Sequence, residues 1–128
     1  MNETTLEVTY VELPAPNLGD TKQFYQRVFG WQWTDYGPTY VAYEVSAGAA
    51  IEVGLNGTAQ AAPAHEPESE NAIGPLVLLS STNLEQTQDE VSAAGGEIVS
   101  AIYPYPGGRR FHFKDPSGNI LGVYQPDL

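Results

Sequence analysis

The chain has 128 residues, of which 41% are hydrophobic and 16% charged, with 13 glycines and 10 prolines. That length and composition describe one turn-rich globular domain with a core, not a disordered or fibrous chain. Sixteen acidic residues against five basic ones give a formal charge of −11 and a pI near 4.2, which excludes an extended nucleic-acid footprint and disfavours an anionic membrane surface. No apolar run approaches the ~20 residues of a membrane-spanning helix, no basic-apolar leader opens the chain, and the absence of cysteine excludes disulfides, thiolate nucleophiles and zinc–sulfur sites. The expectation is a cytoplasmic protein without nucleic-acid or membrane partners.

Taken in chain order, an alternating strand from Tyr10 ends in Pro14-Ala15-Pro16, and Asn17-Leu18 opens a segment of helical spacing that Gly30 closes. Asn17 is the expected N-cap, with Asp20 as its capping-box partner and Gly30 as the left-handed closing residue. A strand over 32–36 follows, then a hairpin over 40–54 whose turn is Ser46-Ala47-Gly48. Residues 55–74 are rich in Ala, Pro, Glu and Asn without a hydrophobic period and read as a linker.

The second half repeats the first. Residues 76–96 align with 10–30, with identities at Val11/Val77, Leu13/Leu79, Asn17/Asn83, Leu18/Leu84, Thr21/Thr87 and Gly30/Gly96. Asn83 with Gln86 is the second capping pair, Gly96 the second helix stop, and 97–102 the next strand. The loop Tyr103-Pro-Tyr-Pro-Gly-Gly108 is a candidate lid, stiffened by prolines and hinged at Gly107 and Gly108. Residues 110–124 form a hairpin about Asp115-Pro-Ser-Gly-Asn119 that aligns with 40–54, pairing Gly48 with Gly118 and Val53 with Val123. The fold class is therefore α+β, with two βαβββ modules, 6–54 and 75–126, in one domain over 1–128.

This duplication, with VELPAPNL and FYQRVFGW in the first half and GGRRFHFKDPSGNILGVY in the second, resembles the glyoxalase/bleomycin-resistance/extradiol-dioxygenase (vicinal oxygen chelate) superfamily, in particular a branch related to lactoylglutathione lyase. The resemblance implies an open, cup-shaped mixed sheet with helices outside, a small-molecule ligand inside, and homodimerisation. It also implies four metal-ligand positions, which fall here on Tyr10, Glu52, Leu76 and Gly122. Only Glu52 is an ordinary ligand, so neither the family's divalent metal nor another cofactor is expected.

Strand parity sets Glu12 beside Tyr10 in the cup and turns Thr9, Val11 and Leu13 to the helix. Glu52 shares its face with Ala50 and Gly54, and pairing across the hairpin is expected to add Val41 and Tyr43. In the second hairpin, Phe111, Phe113, Ile120, Gly122 and Tyr124 are the expected cup residues. Arg109 joins them to recognise an anion or to pair with Glu12 or Glu52. His112 is expected on the helix side with Leu121; a one-residue slip would bring it into the cup as a base. His65 is expected to be solvated in the linker.

Glu52 and Glu12 are the candidate catalytic pair, their alternative being hydrogen-bonded structural acids. Tyr10, Tyr43, Arg109, Phe111, Phe113, Gly122 and Tyr124 are the candidate ligand contacts, and no metal ligand set is expected. The leading functional reading is a metal-independent small-molecule binding protein. The alternatives are a lyase or isomerase using Glu52 with Glu12 or His112 for proton transfer, and a dimeric interaction module with a vestigial cup.

Overall fold

The computed structural model describes residue 6 and residues 8–43, 51–62 and 74–127. The expected turn at 46–48, Ala50, and the linker acids and His65 lie outside the described residues. Strands β1 (Tyr10–Pro14), β2 (Trp33–Asp35), β3 (Tyr40–Tyr43) and β4 (Glu52–Asn56) form one four-stranded sheet in the order β1-β4-β3-β2. Strands β5 (Leu78–Ser80), β6 (Glu97–Tyr105), β7 (Gly108–Lys114) and β8 (Ile120–Pro126) form a second in the equivalent order β5-β8-β7-β6. Each sheet is mixed: β1 runs parallel to β4 and β5 to β8, while the other pairings are antiparallel. The parallel pairing is what a strand-helix-strand connection requires.

Helix α1 (Leu18–Phe29) buries Thr21, Phe24 and Tyr25, which helical spacing gathers on one face. It stops where Gly30 takes φ 73° and donates its N–H to the Gln26 carbonyl, a conformation nearly free of strain for glycine alone. Helix α2 (Leu84–Ala93) buries Leu84 and Val91. Its start is as expected, with the Asn83 side chain accepting from the Gln86 N–H at 3.2 Å. Its end differs: the left-handed residue is Gly95, at φ 101°, not Gly96. Gly96 is constrained by space instead, because a Cβ there would strike Val91 and Phe24.

Asn17 does not cap α1 through its side chain. Its amide Nδ2 donates to Asp20 at 3.1 Å, and its backbone N–H donates to Ser117 Oγ at 3.1 Å. The lid expected over 103–108 is also corrected. Tyr103, Pro104 and Tyr105 are part of β6, paired with Arg110, Arg109 and Gly108, and only Pro106-Gly107 turns the chain. Gly107 supplies the positive φ that this tight connection needs.

One hydrophobic core spans both modules. Leu13, Val41, Val53 and Leu55 of the first sheet meet Phe24 and Tyr25 of α1, then Leu84, Val91, Phe111, Phe113, Leu121 and Val123 of the second half. The Phe24 and Phe113 rings lie 5.7 Å apart across the module boundary. Among the described residues, no helix is long and apolar enough to cross a membrane.

Candidate functional site

In a sheet, residues paired directly across neighbouring strands share a face. Tyr10 pairs with Glu52, Glu12 with Gly54, Gly54 with Ala42, and Asn56 with Tyr40. Tyr10, Glu12, Tyr40, Ala42, Glu52 and Gly54 therefore form the polar face of the first sheet. The opposite face carries Leu13, Val41, Val53 and Leu55 into the core. Glu12 and Glu52 are on one face with Tyr10, as strand parity requires. Val41 and Tyr43 are not: Val41 is buried and Tyr43 stacks on Trp31 at 5.0 Å with rings 7° from parallel. Tyr40 and Ala42 take the positions expected for them.

The Tyr10 and Tyr40 hydroxyls meet at 2.5 Å, directly over Gly54, where a Cβ would collide with both oxygens. Glycine is thus the residue that lets two phenol ends occupy the floor of this face. Removal from water, reinforced by hydrogen bonds to Tyr10 and Glu12, pushes the Tyr40 hydroxyl well above the usual phenol range. Glu12 also accepts from Asn56 Nδ2 at 3.2 Å. Beside this row Tyr10, Tyr36, Tyr40, Ala42 and Glu52 bound an open recess of about 240 Å³.

In the second sheet strand β7 reverses the expected parity, while Ile120, Gly122 and Tyr124 of β8 share the polar face as expected. Phe111 pairs with Val123 and Phe113 with Leu121, all buried in the core, while His112 pairs with Gly122 and Arg110 with Tyr124. The polar face carries Arg110, His112, Gly122, Tyr124 and Leu78, the last paired with Gly122. Phe111 and Phe113 are core residues, not cup residues, and His112 is on the side that the one-residue slip would give it. Arg109 faces α2, where its guanidinium forms a two-pronged pair with Glu85, the longer contact being 3.3 Å. That hydrogen bond holds the Glu85 carboxyl below its ordinary range.

Three groups converge on this face. Arg110 Nε donates to Tyr103 Oη at 2.5 Å, and Tyr103 Oη lies 3.0 Å from His112 Nε2. His112 is fully buried, its ring edge-on to Tyr103, and the Arg110 guanidinium also lies over the Tyr105 ring at 5.1 Å. A phenol within hydrogen-bond distance of an imidazole can exchange a proton with the ring. The polar alternation Arg110, His112, Lys114 against Phe111 and Phe113 is the sequence signal that identifies this face.

The registers also realign the two modules. Pro14 pairs with Asn56 as Ser80 pairs with Tyr124, so Gly54 corresponds to Gly122, Ala42 to His112, and Glu52 to Ile120. Pairing Glu52 with Gly122 as equivalents, as the sequence repeat does, is two residues out. The metal test follows from the donors. Tyr10 beside Glu52 supplies a phenol and one carboxylate, while Leu76, Leu78, Ile120 and Gly122 supply no side-chain donor. Among the described residues, no three His, Asp or Glu side chains group to hold an ion. These residues do not fit a divalent metal, which requires several oxygen or nitrogen ligands.

A separate polar network joins the halves. The Asp115 carboxylate is buried at the turn between β7 and β8. It accepts from Tyr25 Oη, Asn119 Nδ2 and the N–H groups of Ser117 and Asn119, each at 2.9 Å. Asn119 Nδ2 also donates to the Pro14 carbonyl at 2.6 Å. Burial raises the Asp115 pKa despite these donors, and raises that of Tyr25.

A family model described as the Glyoxalase/Bleomycin resistance protein/Dioxygenase superfamily matches residues 7–123. The chain belongs to this superfamily. The glyoxalase fold recurs in solved structures of low identity. A glyoxalase/bleomycin resistance protein/dioxygenase family enzyme from Burkholderia phytofirmans PsJN superposes with a TM-score of 0.73 at 19% identity, over 95% of this chain and 100% of that one. TnmS3, an antibiotic binding protein from Streptomyces sp. CB03234, gives 0.68 at 20% identity over 98% and 100%. A lactoylglutathione lyase from Agrobacterium tumefaciens gives 0.67 at 18% identity over 95% of each chain. Among curated proteins none matches the sequence. The solved likenesses establish the glyoxalase fold, two mixed four-stranded sheets with two helices, and leave the chemistry to the residues on the polar faces.

Proposed function

We propose that this glyoxalase-superfamily chain binds a small organic molecule on the polar faces of its sheets without using the family's metal, with Tyr10, Glu12 and Glu52 in the first module and Tyr124 in the second as contacts; the Leu78 side chain covers Gly122. The observation that carries the reading is the recess bounded by Tyr10, Tyr40 and Glu52 beside the row in which the two phenols join over Gly54. It is concave, aromatic and equipped with few polar groups, as ligand sites are, and its donor set does not suit an ion. The antibiotic-binding neighbour with the same fold supports sequestration of an organic ligand.

The test is amide-resolved NMR titration with flat aromatic compounds, alongside elemental analysis of protein purified without chelator. Saturable shifts clustered at Tyr10, Ala42, Glu52 and Gly54, abolished in Tyr40→Ala, support the reading. Shifts confined to the helix-covered faces overturn it, as does stoichiometric metal lost on Glu52→Ala.

A second reading, a lyase or isomerase that moves a proton, is favoured by the Arg110–Tyr103–His112 arrangement on the polar face. Here His112 and Tyr103 transfer the proton and Glu52 serves the opposite sheet. Loss of turnover in both His112→Gln and Glu52→Gln, with folding intact, supports it; turnover unaffected by either substitution removes it.

A further inference from the structure

We propose that the recess bounded by Tyr10, Tyr36, Tyr40, Ala42 and Glu52 is a cage for an organic cation, an alkylated or protonated ammonium group. The proposal rests on the small-molecule reading of the same face and names the ligand class. Among the described residues, three tyrosines and one carboxylate line a recess of about 240 Å³, and none of these lining residues is basic. Aromatic faces carry the negative end of the ring quadrupole, so tyrosines lining one space favour a cation there, and a carboxylate at the edge supplies a full charge.

The walls are held in place by the fold. Tyr10 and Tyr40 are joined through their hydroxyls at 2.5 Å over Gly54. Glu52 lies in register beside Tyr10 on the neighbouring strand, and Tyr36 is tied to β3 by its N–H to the Tyr40 carbonyl at 2.9 Å. Tyr40 stays neutral across the pH range in which amines are charged, because its hydroxyl titrates above the usual phenol range.

The alternatives fit the recess less well. An anion would meet Glu52 and the tyrosines with no cation among the described lining residues. Among the described lining residues a metal ion would find one carboxylate and phenols. An alkylated ammonium needs neither donors nor acceptors, is weakly hydrated and presents methyl groups to the rings. The net charge of −11 on the chain further raises the local concentration of cations at an open site.

The discriminating pair of probes is choline and its uncharged carbon isostere, 3,3-dimethylbutan-1-ol, titrated against the full chain by amide-resolved NMR. Choline is expected to shift the Tyr10, Tyr36, Ala42 and Glu52 amides and to bind at least about tenfold more tightly than the isostere. Tyr36→Phe should retain this binding because the ring face remains, whereas Tyr36→Ala and Glu52→Gln should weaken it several-fold and Glu52→Lys abolish it. Equal binding of the two probes, or choline shifts unaffected by Tyr36→Ala and Glu52→Lys, would overturn the proposal. If choline fails while an uncharged aromatic compound still shifts the polar-face amides, the cation cage is wrong and the small-molecule reading stands. If neither binds, both fall.

Discussion

Glycine has two different uses in this chain, and substitution separates them. At Gly54 an added methyl would meet the far ends of two tyrosines, groups that can swing away, so Gly54→Ala is expected to cost no more than about 1 kcal/mol of stability while breaking the Tyr10–Tyr40 contact. At Gly108 the obstacle is the backbone of Gln125 and Pro126, which cannot yield locally. Gly108→Ala should cost about 2 kcal/mol or more. Urea denaturation of the two variants measures the contrast.

Asp115 gives a pH signature of definite sign. Its pKa is raised in the folded protein, so the folded state holds this proton more tightly than the unfolded state does. Its favourable contribution is complete below the unfolded carboxylate pKa and is lost as pH rises through the higher folded value. Stability of the wild type relative to Asp115→Asn should therefore increase as pH falls through that raised value, measured by urea titrations across the carboxylate range. Asp115→Ala strands four donors and should cost about 3 kcal/mol or more at neutral pH.

Among the elements, the two helices start alike in sequence and differently in space. Asn83 caps α2 through its side chain, and Asn83→Ala should cost about 1 kcal/mol. Asn17 makes no such bond, and α1 is instead received by Ser117, whose hydroxyl accepts from Asn17 N–H and lies 2.6 Å from Thr21 Oγ1. Ser117→Ala should destabilise by about 1 kcal/mol and Asn17→Ala by less, as chemical denaturation of the three variants would show. The helices, Gly30 and most strands were legible because apolar spacing and turn residues agree there. The capping partner of α1 was not, because it lies a hundred positions along the chain.

Register was the other illegible quantity. In β7 the phenylalanines alternate with Arg110, His112 and Lys114, and apolar rings go to the helix-covered face because burial there removes them from water. Assigning them to an aromatic cup set the expectation of a binding site against that preference, and the core prevailed. Tyr43 was misplaced through hairpin pairing: its partner is Val53, so it shares the apolar face. Glu12, Glu52 and Tyr10 were read correctly as neighbours, since one strand fixes the first and third and its parallel partner supplies the second.

For the molecule as a whole, the metal-independent reading predicts that chelators leave the thermal unfolding midpoint unchanged, measured by differential scanning calorimetry with and without EDTA. A fall of several degrees would reveal a stabilising ion. The shared core and the Tyr25–Asp115–Asn119–Pro14 network join the modules into one cooperative body, so unfolding should be a single transition by both tyrosine absorbance and backbone dichroism.

Gly54 and Gly122 stand at equivalent positions of the two halves, and each gap is filled from a different direction. In one the space is taken by two phenol ends, in the other by the Leu78 side chain pressing against the position where a Cβ of Gly122 would be. The duplicated halves are therefore separately tunable: trimming Leu78 would reopen the second gap beside His112 without touching the tyrosines. Two copies of one unit thus give a single small chain two independent starting points from which a new specificity can evolve.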